Sequence, residues 1–280
     1  MRLRFAPAAL LGVAALWGST FFLMKDAIKR QDVNSFLFTR FAVSVLVLVA
    51  IRPGVLKLFT KDMLSKGFIS GAFLAAGYIL QTLGLERTSA AVTGFITGLY
   101  VTVTPLMAFV FQSQKLSRKT WFNIGMATVG LALLSLHGLS VGIGELLVLA
   151  SAFAFAAQII VLSAWSAGRD AYAFTVVQLA TCALLTGLAA AFGGYQSPPD
   201  KGVWAVVIFT AVFATALAFF IQTWSQAHMA PTKVAVILVM EIVFAAFFAV
   251  LFGGEHLTAR VFLGGSIIVC AMYLIVREEA

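Results

Sequence analysis

Long apolar runs alternate with short polar breaks along this chain. Ten of the runs approach the roughly 20 residues that a helix needs to cross a bilayer. They cover 7–28, 34–51, 67–85, 91–112, 121–138, 144–165, 172–193, 203–226, 233–253 and 261–276. The breaks are rich in charge, Gly and Pro: Lys29-Arg30-Gln31-Asp32, Arg52-Pro53-Gly54, Lys115 to Lys119, Arg169-Asp170 and Gln196-Ser197-Pro198-Pro199-Asp200. None is long enough for a soluble domain, so any chemistry must take place within the membrane. The expected fold class is all-α integral membrane, with ten transmembrane helices.

The pattern also repeats. Tyr78 to Leu116 lies on Phe219 to Leu257 at an offset of 141 residues without a gap. Gln81-Thr82 then falls on Gln222-Thr223, Ile96 on Ile237, Ala108 on Ala249 and Phe111 on Phe252. An echo at half the chain length marks two copies of one unit, here 1–140 and 141–280. Five crossings per copy is an odd number, so the copies sit upside down relative to each other. That is the inverted-repeat plan of secondary transporters.

Composition agrees. Of the 280 residues, 61% are hydrophobic and 11% charged, against roughly 25% charged in soluble domains. The net charge of +8 does not point to nucleic acid, because Lys and Arg lie in the breaks and not on one face of a domain. They act as topology signals. With the N-terminus in the cytoplasm, twelve Lys and Arg fall on the cytoplasmic side and six on the other, so both termini are expected inside. Cys182 and Cys270 fall within apolar runs and read as small core residues. The N-terminal run is long enough to span, so a first helix is expected there in preference to a cleaved signal.

Glu241 is the sharpest chemical signal. It sits mid-span in Val239-Met240-Glu241-Ile242-Val243, where a carboxyl group must be paired, wetted or put to use. Two readings stand: a proton or substrate-ammonium site, or a carboxyl hydrogen-bonded to a neighbouring helix. Arg40, two turns into the second span, reads first as an ion pair or interface anchor and second as a substrate-binding group. Gln81, Gln158, Gln178 and Gln222 are intramembrane amides, suited to helix-to-helix hydrogen bonds or to polar solute groups. The mirrored pair Gln81 and Gln222 reads as cavity-lining. Trp17, Tyr78, Tyr100, Trp165, Phe219 and Trp224 are candidate wall aromatics, while Trp121, Trp165 and Trp204 fit an interfacial belt. Gly67 with Gly71, and Gly94 with Gly98, are small residues four apart that let helices approach closely. Pro105 is expected to kink the fourth span.

Enzyme signals are weak. Gly138-Leu139-Ser140-Val141-Gly142 matches a nucleophile elbow by pattern but lies between membrane helices, without the strand that an elbow requires. His137, His228 and His256 have no zinc-ligand spacing, and there is no phosphate loop. No enzyme activity and no cofactor are expected.

Trp17-Gly18-Ser19-Thr20-Phe21-Phe22 resembles the start of EamA-type exporters of the drug/metabolite transporter superfamily. Arg40-Phe41, Pro105, Glu241-Ile242-Val243-Phe244-Ala245-Ala246 and Gly254-Glu255-His256-Leu257 fit the same pattern, so the resemblance covers both halves. Ile242 stands where a Pro often follows the Glu, which predicts a straighter ninth helix. Gln114 stands where the first half often has Glu. The resemblance implies ten helices, both termini cytoplasmic, and a central cavity built by spans 1, 3, 4, 6, 8 and 9. It implies export of small metabolites, most like the aromatic and other amino-acid exporters.

The expectation is therefore an inner-membrane carrier, with the lipid bilayer and a small amino acid as partners and protons as a candidate coupling ion. The substrate site is placed at Trp17, Tyr78, Gln81, Tyr100, Gln158, Phe219, Gln222, Trp224 and Glu241. The alternative is a passive facilitator for other small metabolites or drugs.

Overall fold

The computed structural model describes residues 5–87, 90–113, 115–135, 142–252 and 258–277. The boundary at 140, and Gln114, His137, Ser140, Glu255 and His256, lie outside the described residues. The helices are α1 (Ala6–Arg30), α2 (Val33–Ile51), α3 (Lys61–Leu85), α4 (Ala90–Gly98), α5 (Tyr100–Gln112), α6 (Arg118–Ser135) and α7 (Ile143–Ser166). There follow α8 (Ala171–Gly193), α9 (Lys201–Ala211), α10 (Ala218–Gln226), α11 (Pro231–Leu238), α12 (Met240–Phe252) and α13 (Ala259–Arg277). A π-helical stretch, Val212–Leu217, joins α9 to α10 without a break in the rod.

The breaks in the sequence set the helix starts. Asp32 accepts the Ser35 N–H at 2.9 Å, Asp170 accepts that of Ala173 at 2.8 Å, and Asp200 accepts those of Gly202 and Val203. Each therefore caps a helix by satisfying amides that have no intrahelical partner. Thr60 does the same for Met63, and α3 starts at Lys61, six residues before the apolar window. Its first turns carry Asp62 and Lys66, which a hydropathy reading assigns to the preceding break.

Among the described residues, six rods are long and apolar enough to cross a membrane: Val33–Ile51, Lys61–Leu85, Ile143–Ser166, Ala171–Gly193, Lys201–Gln226 and Pro231–Phe252. Shorter apolar stretches lie in α1, across α4 and α5, and in α13. The outer surface is apolar as well. Phe192 is 92% exposed and Phe111 71%, as expected of side chains that face lipid and not water. Cys182 is buried in the core; Cys270 is exposed on this outer surface, a correction to its reading as a core residue.

The packing has the twofold pattern that two copies require. The second span meets its own repeat mate (α2 on α8), and so does the fifth (α6 on α13). Other contacts come in swapped pairs. α3 on α7 matches α1 against the α9–α10 rod, and α1 on α12 matches α4 and α5 on α7. The molecule is an all-α membrane protein of two repeats, with its core split into two clusters around the shared centre.

Glycines set the closest approaches. A Cβ on Gly71 would lie 2.5 Å from the Gln178 carbonyl oxygen, and one on Gly67 would lie 2.6 Å from Val177, so this pair seats α3 on α8. Gly94 has room, with only Ile242 at 3.7 Å.

The fourth and ninth spans are each interrupted, at places that neither Pro105 nor Ile242 marks. α5 runs through Pro105, and the break falls earlier, at Leu99. The ninth span breaks at Val239. At both sites the chain tightens to three-residue bonds: Thr102 N–H to Leu99 O at 2.9 Å, and Ile242 N–H to Val239 O at 3.1 Å. The two tightenings lie just before Tyr100 and Glu241.

Candidate substrate cavity

A cavity of about 90 Å³ sits between the halves. From the first half it is lined by Trp17, Thr20, Met24 and Ile28 of α1, Arg40 of α2, Leu74, Tyr78, Gln81, Thr82 and Leu85 of α3, Thr97 of α4 and Tyr100 of α5. From the second half come Phe155, Gln158 and Ile159 of α7, Phe219 and Gln222 of α10, Leu238 of α11 and Glu241 of α12. The six spans implied by the resemblance all contribute, and the second adds Arg40.

The wall is aromatic. Tyr78 stands edge-on to Phe41, Phe155 and Phe219 at ring-centroid distances of 5.3, 5.5 and 6.3 Å, and Trp17 lies 5.3 Å from Phe219. The π-helical stretch fixes this wall. A π turn widens the helix and leaves backbone carbonyls to outside donors. Ala214 O accepts the Trp17 Nε1–H at 2.8 Å, and Ala211 O accepts the Ser44 hydroxyl at 2.9 Å.

The polar groups form chains. Gln81 donates to Thr97 Oγ1 at 3.1 Å. Gln222 donates to Gln158 at 3.4 Å, Gln158 to Gln178 at 3.1 Å, and Ser70 to the same Gln178 oxygen at 2.6 Å. Gln178 is outside the cavity and acts as helix-to-helix glue; the other three amides do both jobs. Gln222 Oε1 and the Tyr100 hydroxyl are buried with no hydrogen-bond partner among the described residues. Among the described residues, no hydrogen bond or ion pair engages the Glu241 carboxylate, which is 7% exposed. The reading of Glu241 as bonded to a neighbouring helix therefore has no support in the geometry.

Of the residues proposed from the sequence, Trp17, Tyr78, Gln81, Tyr100, Gln158, Phe219, Gln222 and Glu241 stand around this cavity. Trp224 does not. It is two residues past Gln222, about 200° round the helix, and its ring packs on His228 at 5.5 Å. Trp165 also lies off the cavity, and Trp121 and Trp204 are part-exposed on the outer surface.

Arg40 needs a larger correction. It is 1% exposed, does not reach an interface, and has no ion-pair partner among the described residues. Its side chain runs inward to the π-helical stretch, where Nε donates to Thr215 Oγ1 at 2.6 Å. Phe155 was also missed; in the sequence nothing separates it from the other phenylalanines of its span.

Ten of the nineteen lining residues form five pairs of repeat mates. At the offset of 141, Trp17 pairs with Gln158, Tyr78 with Phe219, Gln81 with Gln222, Thr97 with Leu238 and Tyr100 with Glu241. The other nine have no mate in the lining, and the two ends differ. The cavity extends to Ile28 and Leu85, in the last turns of α1 and α3, on the face where Arg30 bridges to Asp200 at 2.6 Å. The mates of Ile28 and Leu85 are Arg169 and Gln226. Both are engaged on the opposite face. Arg169 pairs with Asp62 at 2.6 Å, and Gln226 donates to Ile159 O and Ser163 Oγ at 2.8 Å each. One end of the cavity thus reaches its face, while the equivalent place at the other end is bolted.

Known proteins agree with this architecture. A crystal structure of another protein superposes with a TM-score of 0.83 at 15% identity, over 97% of this chain and 98% of that one, which shows the fold. A protein of Archaeoglobus fulgidus described as an uncharacterized transporter is 30% identical over 271 residues, covering 97% of this chain and 85% of its relative. The model of the EamA-like transporter family matches twice, at residues 4–136 and 142–277. On those two matches, one per half, the chain belongs to the EamA-like transporter family: it is a membrane transporter and not an enzyme.

Proposed function

We propose that this chain is an inner-membrane secondary carrier that exports small amino acids or related metabolites by alternating access. The observation that carries the reading is the broken symmetry at the cavity ends: Ile28 and Leu85 line one mouth, while their mates Arg169 and Gln226 are tied down. Two copies of one unit can exchange conformations. In the exchanged state the Arg169–Gln226 end opens and the Ile28–Leu85 end closes around the same midplane site. Gly67, Gly71 and Pro105 are the places where the helices can rock on one another.

Orientation follows from charge. The bolted face carries Arg52, Lys57, Lys61, Lys66, Lys115, Arg118, Lys119 and Arg169, which makes it the cytoplasmic one. Both termini then lie inside, and the cavity faces outward. Its volume of about 90 Å³ suits a small solute; an aromatic amino acid needs wall side chains to move. Within the cavity, Gln222 Oε1 and the Tyr100 hydroxyl are free to bond a polar solute, and Glu241 meets its ammonium group or carries a proton.

The bolt gives a direct test. In a Cys270→Ser background, Asp62→Cys with Arg169→Cys joined by a short bifunctional thiol reagent should hold the cytoplasmic face shut and stop transport. Cleaving the linker should restore it. Unchanged transport in the linked protein would remove the alternating-access reading. The ion pair itself is exposed and contributes little to stability, so the cysteine pair before linking should remain folded and active.

A further inference from the structure

We propose that Arg40 is the subsite for a carboxylate on the transported solute and that, with Glu241 in the same cavity, it selects zwitterions. The proposal rests on the reading of this cavity as the substrate site. Arg40 lines the cavity and is 1% exposed. A guanidinium buried to this degree calls for an anion or a full set of acceptors. It has neither. A guanidinium carries five N–H donors. Nε is well used by Thr215 at 2.6 Å. One N–H of Nη2 reaches Ala214 O at a long 3.4 Å, and one of Nη1 reaches the Met24 thioether, a weak acceptor, also at 3.4 Å. A fourth N–H is engaged by the Tyr78 hydroxyl, and the fifth has no acceptor among the described residues. Among the described residues no carboxylate is supplied by the elements around it: α1 offers Met24, α2 itself the Phe41 ring, α3 the Tyr78 hydroxyl and its ring at 5.3 Å, α8 the Cys182 thiol and the π-helical stretch Thr215.

The arrangement fits a carboxylate better than a phosphate. A single guanidinium with one spare N–H and two long, weak Nη contacts at 3.4 Å can turn two N–H groups to the two oxygens of a carboxylate side by side. The Glu241 carboxylate shares the cavity and would repel a dianion. The same pairing explains why two opposite charges line one buried cavity without any described bond between them. An ammonium and a carboxylate on one small molecule satisfy both. Arg40 also braces the π-helical stretch, and a purely bracing role makes a different prediction: its loss would weaken all solutes alike.

Three probes separate the cases: L-alanine, ethylamine, which lacks the carboxylate, and propionate, which lacks the ammonium. Binding to the detergent-purified protein is read from tryptophan fluorescence, Trp17 being in the cavity wall. Wild type should bind alanine at least roughly tenfold more tightly than ethylamine, the scale of one charge-assisted hydrogen-bonded pair. Arg40→Gln should lose roughly tenfold or more for alanine while ethylamine shifts by less than about threefold. Arg40→Lys should keep part of the preference. If Arg40→Gln does not fold, the wild-type panel and Arg40→Lys still decide. Equal wild-type binding of alanine and ethylamine overturns the proposal. So does an equal loss of both in Arg40→Gln, and so does the failure of all three probes to bind. If propionate alone binds, and needs Arg40, the subsite stands and the amino-acid reading falls.

Discussion

Glu241→Gln should lower solute uptake driven by a pH gradient by roughly tenfold or more, about 1.4 kcal/mol or above, while the protein melts at a higher temperature than wild type. The two halves of this expectation have one cause. Glu241 is buried mid-span with no hydrogen bond or ion pair among the described residues. A carboxylate at such depth costs about 2.5–3.5 kcal/mol on insertion scales, and no protein partner offsets that cost here. An amide of the same shape removes the charge and recovers part of the cost. A carboxyl retained at the expense of stability is one that function needs. Uptake and thermal unfolding of the same preparation check both halves. A Glu241→Gln protein that is less stable yet transports normally would mean that the side chain is structural.

Gly18→Ala should destabilise the protein by roughly 1–3 kcal/mol, the range for overpacking a filled core, and Gly18→Val should fail to accumulate. A Cβ at Gly18 would stand 2.6 Å from the Glu241 carbonyl oxygen, 2.7 Å from Phe244 Cβ and 2.8 Å from the Ala245 amide nitrogen. All three belong to the body of α12, so no side chain can swing aside and α1 must move off α12. Because the contact is with Glu241 itself, the variant should also misplace the carboxyl and cost transport beyond its loss of abundance. Gly12 supplies the control. It is in the same helix, but among the described residues nothing lies within 4 Å of its Cβ position, so Gly12→Ala should be neutral or slightly stabilising. Melting temperatures and yields of the two alanine variants check the contrast; equal behaviour would contradict the close packing of α1 on α12.

The helices were legible because a bilayer demands long apolar runs and leaves charge only in the breaks. Where a helix projects beyond the apolar window, as α3 does through Asp62 and Lys66, hydropathy goes silent and only the Thr60 cap marks the start. The repeat was legible from its fixed offset. That offset also pairs unlike residues: applied to Trp17 it gives Gln158, and applied to Tyr100 it gives Glu241. Unlike side chains can be repeat mates, so a search for identities passes over them. Helical phase would have removed Trp224, since Phe219 and Gln222 fix the inward face of α10 and Trp224 points elsewhere.

Other features were not legible. The π-helical stretch Val212–Leu217 has no Gly, Pro or charge to announce it, yet it turns the Arg40 guanidinium inward and anchors Trp17. Pro105 was the louder signal for a bend, but the chain tightens at Leu99 and Val239, where neither side chain is unusual. Such choices are made by packing between helices distant in sequence.

The central claim is a carrier with one site exposed to each face in turn, and counterflow tests it most directly. Proteoliposomes are loaded with unlabelled alanine, and entry of labelled alanine is followed with and without the internal load. The account predicts saturable entry that is accelerated by the load and overshoots before decaying, because the loaded site returns faster than the empty one. Linear entry that ignores the load would show a pore and contradict it.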